Sequence, residues 1–177
     1  MLYQFKVELS DVDRGIYETL DFRIVQHPSE AAPYLLTRAL AYALSYQANL
    51  EFSPAGLGDP ETPALWAKSN IGNLDLWIEV GSPSARKLHK ATKAADQVLI
   101  YTYKNPDLLV ADILENKVHR AREVQIFALD PKFLALLERE LKKSNRWSLL
   151  LQNGQIDLGT GTESYVSDVR RITFPQP

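Results

Sequence analysis

The sequence predicts a mixed α/β (α+β) fold, one compact domain on a mixed sheet with flanking helices. Three observations carry it. Apolar and polar residues alternate at both ends of the chain, the period of half-buried strands. The stretches between them switch to the period of helices. No repeat, low-complexity run or linker divides the 177 residues, so strands and helices share one body spanning 1–177.

Tyr3, Phe5, Val7 and Leu9 alternate with Gln4, Lys6, Glu8 and Ser10, and Leu20, Phe22 and Ile24 alternate with Asp21 and Arg23. With turn chemistry from Asp11 to Gly15, residues 1–26 read as an antiparallel hairpin. From Ala32, Leu35, Leu36, Ala39, Leu40, Ala43 and Leu44 form one helical face. Pro28 and Ser29 suit a helix start, and Pro33 moves the true start a few residues later. Leu50 and Phe52 make a short apolar patch before a Pro/Gly loop. Residues 63–103 read as strand, turn, strand, helix, strand.

Asn105-Pro106 opens a helix with Leu108, Leu109 and Ile113, and 123–129 is a strand. Asp130-Pro131 opens another helix, with Phe133, Leu134, Leu137 and Leu141 on its buried face and Lys142-Lys143 at its C-terminal end. Trp147 to Leu151, the Asn153-Gly154 turn, and Ile156 with Leu158 form a second hairpin. The tail predicts an edge strand near Tyr165 to Val169 and a fraying end.

Apolar residues are 45% and charged residues 24% of the chain, an ordinary globular composition. The formal charge of −2 gives no global basic footprint and argues against sequence-independent coating of DNA. There is no cysteine, which removes disulfides, thiolate metal sites and thiol nucleophiles. The N-terminus lacks a signal pattern and no apolar run spans a bilayer, so the expectation is a soluble, cytoplasmic protein with no membrane partner. Three scattered histidines make a zinc site improbable. In His27-Pro28-Ser29-Glu30, the spacing predicts no Ser–His dyad, because near neighbours do not aim two side chains at each other.

The candidate chemistry lies in 63–103. A turn near Ile71–Gly72 places residues whose numbers sum to about 143 opposite one another. Glu79 then faces Ala64 and Glu61, and Asp75 faces Lys68. Asp75, Trp77 and Glu79 share one strand face, with Leu76, Ile78 and Val80 on the other. Asp75 and Glu79 are separated by about 13 Å along the strand, too far for one small ion. Glu79 with Glu61, joined by Glu30, makes the better set for a hard cation such as magnesium or manganese. The following helix carries Arg86, Lys90 and Lys93 at spacings of four and three, and a lysine there would stabilise phosphate charge. Arg38, eight residues after Glu30, falls on the same helix face and would contact a phosphate. The plainer alternatives are a strand acid paired with a lysine, a first-turn acid complementing a helix dipole, and a solvated basic helix.

His27-Pro28-Ser29-Glu30, Pro63-Ala64-Leu65-Trp66, the run Asp75 to Gly81 (DLWIEVG), Lys90-Ala91 and Tyr101-Thr102-Tyr103 together resemble the YaeQ family of bacterial proteins, in order and over nearly the whole length. The resemblance implies a variant of the PD-(D/E)XK core of restriction-endonuclease-like proteins. It makes Glu30 the helix acid and Glu79 the acid of the E-x-K strand. Two departures stand out: Gly81 occupies the motif lysine's position, and Ala64 follows Pro63 where that core has an acid. Lys90 would replace the lysine, and Glu61 or Asp75 the missing acid.

Two functions follow. In one, the chain is a magnesium-dependent phosphodiesterase on nucleic acid: Glu30, Glu61 and Glu79 bind metal, Asp75 assists, and Lys90 stabilises the transition state. Arg38, Arg86 and Lys93 hold phosphates. In the other, it is a non-catalytic nuclease-fold module binding nucleic acid or a protein partner. Carboxylates that pair off with arginines favour the second.

Overall fold

The structure is a computed structural model that describes residues 1–54, 57 and 59–177. The element order is β1 (Leu2–Asp11), β2 (Ile16–Val25), α1 (Ala32–Leu44), β3 (Leu50–Phe52), β4 (Leu65–Lys68), β5 (Leu74–Val80), α2 (Ala85–Ala94), β6 (Ala95–Thr102), α3 (Pro106–Glu115), β7 (Gln125–Leu129), α4 (Pro131–Glu140), β8 (Ser144–Gln152), β9 (Gln155–Gly159) and β10 (Ser164–Ile172). The architecture is mixed α+β, as the sequence predicts. The Pro/Gly loop expected before residue 63 lies partly outside the described residues.

The chain packs as two units, Met1–Ser45 with Leu129–Arg170, and Tyr46–Ala128 with Arg171–Pro177. In the first, the strand order is β2-β1-β8-β9-β10. β1 pairs antiparallel with β2 from Leu2↔Val25 to Asp11↔Ile16, and parallel with β8. Alternation aims Phe5, Phe22 and Trp147 inward, where Phe5 stacks on Phe22 at 5.4 Å and meets Trp147 edge-on at 5.3 Å. Leu35, Leu36, Ala39 and Leu40 of α1 and Phe133, Leu134 and Leu137 of α4 are buried with them. α1 starts at Ala32 with Pro33 in its first turn, where a missing N–H costs nothing. Asn153 and Gly154 adopt φ of 52° and 71°, the left-handed pair a tight hairpin turn requires. Asp13 accepts from both of their amides, at 2.7 and 3.0 Å, and so ties this turn to the first hairpin.

α4 ends at Glu140, so Leu141, Lys142 and Lys143 lie beyond the helix and not on its last turn as the sequence reading has it. Leu141 is already extended, and Asn145 organises the link by accepting from Lys142 N at 2.9 Å and donating to Lys142 O at 2.6 Å.

In the second unit the order is β7-β6-β5-β4-β3. β4 and β5 form an antiparallel hairpin pairing Leu65↔Ile78, Trp66↔Trp77 and Ala67↔Leu76, the predicted register, but a bulge then sets Lys68 opposite Leu74 and not opposite Asp75 as the numbering predicts. β5-α2-β6 and β6-α3-β7 are parallel crossovers. Trp77, Leu88, Ala91, Val98, Ile100, Ile113 and Ile126 form the core cluster. The chain end does not fray: Phe174 packs on this cluster, and Arg122 Nη1 donates to Pro175 O at 2.5 Å. No helix of the described residues is long and apolar enough to cross a membrane.

Candidate functional site

The site is built on the β5-α2 crossover. β5 lies between strands and carries a helix on one face, so its Asp75-Trp77-Glu79 face is not a solvent face. Trp77 sits in the core with Leu88 and Ala91 of α2. Glu79 is 2% exposed. Gly81 ends the strand at φ 83°, a conformation that L side chains resist, which accounts for the absence of a lysine there. Ser82, Pro83 and Ser84 then reverse the chain. Ser84 Oγ caps α2 by accepting from Lys87 N at 3.1 Å. Lys87, in the first helical turn, therefore hangs over the end of β5.

Glu79 Oε1 accepts from Trp77 Nε1 at 2.8 Å and lies 3.2 Å from Lys87 Nζ. Burial pushes the Glu79 carboxyl above its ordinary range, and Lys87 and the indole N–H pull it back. Lys90, one turn on, reaches a different acid: its ammonium donates to Glu61 Oε2 at 2.6 Å, in an exposed pair. The hydrogen bond and charge of Lys90, aided by Arg86, hold Glu61 below the usual carboxylate range. Lys87 is the residue that sequence reasoning missed. The signal was present: a four-residue link after Val80 and a Ser84 cap bring the third helical position back over the strand end. Asp75 is half-buried on the bulged stretch. Arg86 and Lys93 are exposed on α2.

In the first unit, Glu30 lies before the helix and not in its first turn. The 27–30 turn, closed by Glu30 N donating to His27 O at 2.9 Å, curls its carboxylate back to accept from His27 N at 3.1 Å. Arg38 grips that carboxylate with two hydrogen bonds, Nε to Oε2 at 2.7 Å and Nη2 to Oε1 at 2.6 Å, and also donates to Val25 O at 3.0 Å. The Glu30 and Arg38 side chains are 1% and 5% exposed. Against the expectation from spacing, His27 Nδ1 and Ser29 Oγ meet at 2.7 Å, because the tight turn folds positions two apart onto each other. The same ring nitrogen accepts from Ser29 N at 3.1 Å, so the contact closes a turn.

Magnesium would need several carboxylate oxygens facing one point. The donor set does not fit as it stands. Glu30 is bound by Arg38, Glu61 by Lys90, and Glu79 by Trp77 and Lys87. Among the described residues, no three His, Asp or Glu converge as ligands.

The YaeQ protein family model matches residues 1–169. The uncharacterised YaeQ protein of Escherichia coli (strain K12) is 31% identical over 180 residues, covering 99% of this chain and 96% of the relative. That of Salmonella typhi is 26% identical over the same shares. The crystal structure of the YaeQ protein from Xanthomonas axonopodis pv. citri superposes with a TM-score of 0.89 at 26% identity, covering 98% of each chain. That from Pseudomonas syringae gives 0.89 at 27%, covering 99% of this chain and 97% of the other.

Proposed function

The chain belongs to the YaeQ family, and on that premise we propose that it is a non-catalytic binding protein of the restriction-endonuclease-like, PD-(D/E)XK class, which holds nucleic-acid phosphates on the outer face of α2. The observation that carries this reading is the pairing of the acids. A hydrolytic centre needs carboxylates available to a cation. Here Glu30, Glu61 and Glu79 each have a protein cation within 3.2 Å.

α2 itself (ARKLHKATKA) holds four lysines and arginines and no acid. Two of them, Lys87 and Lys90, neutralise Glu79 and Glu61, and Arg86 and Lys93 face solvent. Such a helix supplies phosphate contacts without base reading, so affinity is modest and falls steeply with salt. Arg38, buried against Glu30, contributes to the fold and not to this face.

One observation favours the second reading, a magnesium-dependent phosphodiesterase: Lys87 sets an ammonium beside Glu79, the pairing that an E-x-K strand would supply. Two measurements separate the readings. Fluorescence anisotropy with labelled single- and double-stranded oligonucleotides in chelator tests binding without metal. Calorimetric titration of magnesium and manganese, with Glu79→Ala as control, tests a carboxylate site. Metal-free binding that weakens with salt, without metal heat, supports the binding module. Metal heat lost in Glu79→Ala, with nicking of the oligonucleotide, overturns it in favour of the enzyme.

A further inference from the structure

β2 is the outer strand of the first unit's sheet, and its open edge has an order that the nucleic-acid reading does not use. It runs ten residues without a bulge, proline or lysine, three of the devices that blunt edges, and the charges it carries are those of Glu18, Asp21 and Arg23. Backbone parity fixes which groups point outward. Gln26 N donates to Met1 O across the β1-β2 ladder, so even-numbered residues of β2 bond to β1 and odd-numbered ones face away. Arg38 confirms the parity, because its Nη2 takes the outward carbonyl of Val25. Among the described residues, no strand other than β1 pairs with β2. The amides and carbonyls of Tyr17, Thr19, Asp21 and Arg23 thus stand along an open edge, and Tyr17 and Val25 are 62% and 70% exposed.

We propose that this edge pairs with β2 of a second copy of the chain, antiparallel about a two-fold axis through Phe22. In that register Asp21 stands opposite Arg23 of the partner and Arg23 opposite Asp21, so two opposite-charge pairs form by symmetry. Both residues are exposed on the strand's outer face. Thr19 meets Val25, whose carbonyl has a second lone pair beside the one that Arg38 occupies. On the inner face Phe22 meets Phe22, and Leu20 meets Ile24, which continues the apolar layer across the seam. A shift by one residue in the axis, to Asp21, sets like charges opposite each other and is disfavoured. The axis through Phe22 is the one that sets Asp21 opposite Arg23 on both sides of the seam.

Sedimentation equilibrium of the full chain tests it. The wild type is expected to show a concentration-dependent dimer. Arg23→Asp turns both cross-strand pairs repulsive and weakens association by about tenfold. The double variant Asp21→Arg/Arg23→Asp restores it. Thr19→Pro removes an outward N–H without touching the β1 ladder and abolishes the dimer, with thermal unfolding checked to show the fold intact. A monomer at every concentration overturns the proposal. So does a dimer indifferent to Arg23→Asp and Thr19→Pro, which would have its seam elsewhere, and so does failure of the double variant to recover.

Discussion

Lys87 Nζ lies 3.2 Å from Glu79 Oε1, and the same oxygen accepts the Trp77 indole N–H at 2.8 Å. The carboxylate is almost wholly shielded, whereas the Lys87 side chain keeps 20% of its exposure. Removing the cation leaves a buried charge with one hydrogen bond. Lys87→Met is expected to cost about 2 kcal/mol at neutral pH, less than the roughly 3–5 of a fully enclosed pair. Urea unfolding measures it. The deficit should shrink as pH falls and Glu79 takes up its proton, which burial makes it do above the ordinary carboxylate range. A deficit that is constant with pH would mean that Lys87 acts through packing of its stem.

The same burial sets a sign for pH dependence. Glu79 is raised above its ordinary value of 4.5, with desolvation the largest cause. The folded state then holds that proton more tightly than the unfolded chain does. Its contribution to stability is greatest below the unfolded pKa, and it is lost as pH rises through the folded one. Glu61 and Glu140 are lowered by Lys90 and Tyr165 respectively and slope the other way, so the comparison must be by difference. Subtracting the Glu79→Gln profile from the wild type's, by denaturant midpoints against pH, should leave a curve that falls with pH. A flat difference would sink the assignment.

Glu30 and Arg38 form the most enclosed ion pair among the described residues, with two short hydrogen bonds. Arg38→Met should cost roughly 3–5 kcal/mol, since it abandons a buried carboxylate. Glu30→Gln/Arg38→Met should recover much of that loss, although the outward Val25 carbonyl still lacks its donor. A double-mutant cycle by urea unfolding gives the coupling. Additive losses would show that the two residues stabilise the fold independently.

The hairpins, the helices and even the β4-β5 register were legible because each is dictated by local periodicity and turn chemistry. Leu65↔Ile78 follows from Gly72 as a turn residue and from nothing distant. The site was harder to read, because side-chain partnership depends on packing. Spacing puts Glu30 and Arg38 on one side of a helix, but only the folded turn at His27 shows the carboxylate curling back into the guanidinium. Likewise Arg86, Lys90 and Lys93 look equivalent by period, and the angle of α2 over β5 decides that Lys87 meets Glu79 while Lys90 meets Glu61. Alternation shows that Asp75, Trp77 and Glu79 share one face of β5, but it does not reveal the helix that covers that face.

Arg86 and Lys93 supply the nucleic-acid prediction. If each holds one phosphate of a duplex, replacing both by alanine lowers the slope of log affinity against log salt by about 1.8. Affinity should fall for every sequence alike, since no base is read. Anisotropy titrations over a salt series measure both. An unchanged slope with lost affinity would place the phosphate contacts away from α2.

Trp66 and Trp77 stand directly opposite each other in the β4-β5 hairpin, and their indole N–H groups differ in one respect. Trp77 donates to Glu79 at 2.8 Å, whereas the buried Nε1 of Trp66 has no hydrogen-bond partner among the described residues. A buried donor left unpaired costs about 1–3 kcal/mol, so deleting it offsets much of the packing lost with the smaller ring. Trp66→Phe should accordingly change stability by less than about 1 kcal/mol, and the Lys68 ammonium, 4.1 Å above the ring centre, retains an aromatic face. Trp77→Phe loses core volume and strips a donor from a buried carboxylate, for a cost of about 2–3 kcal/mol. It should also raise the Glu79 pKa further, which deepens the fall of stability with pH described above. Guanidinium unfolding of the two variants, at neutral and acidic pH, tests the contrast. Equal losses at both positions would mean that ring volume, and not the fate of the indole N–H, governs this hairpin.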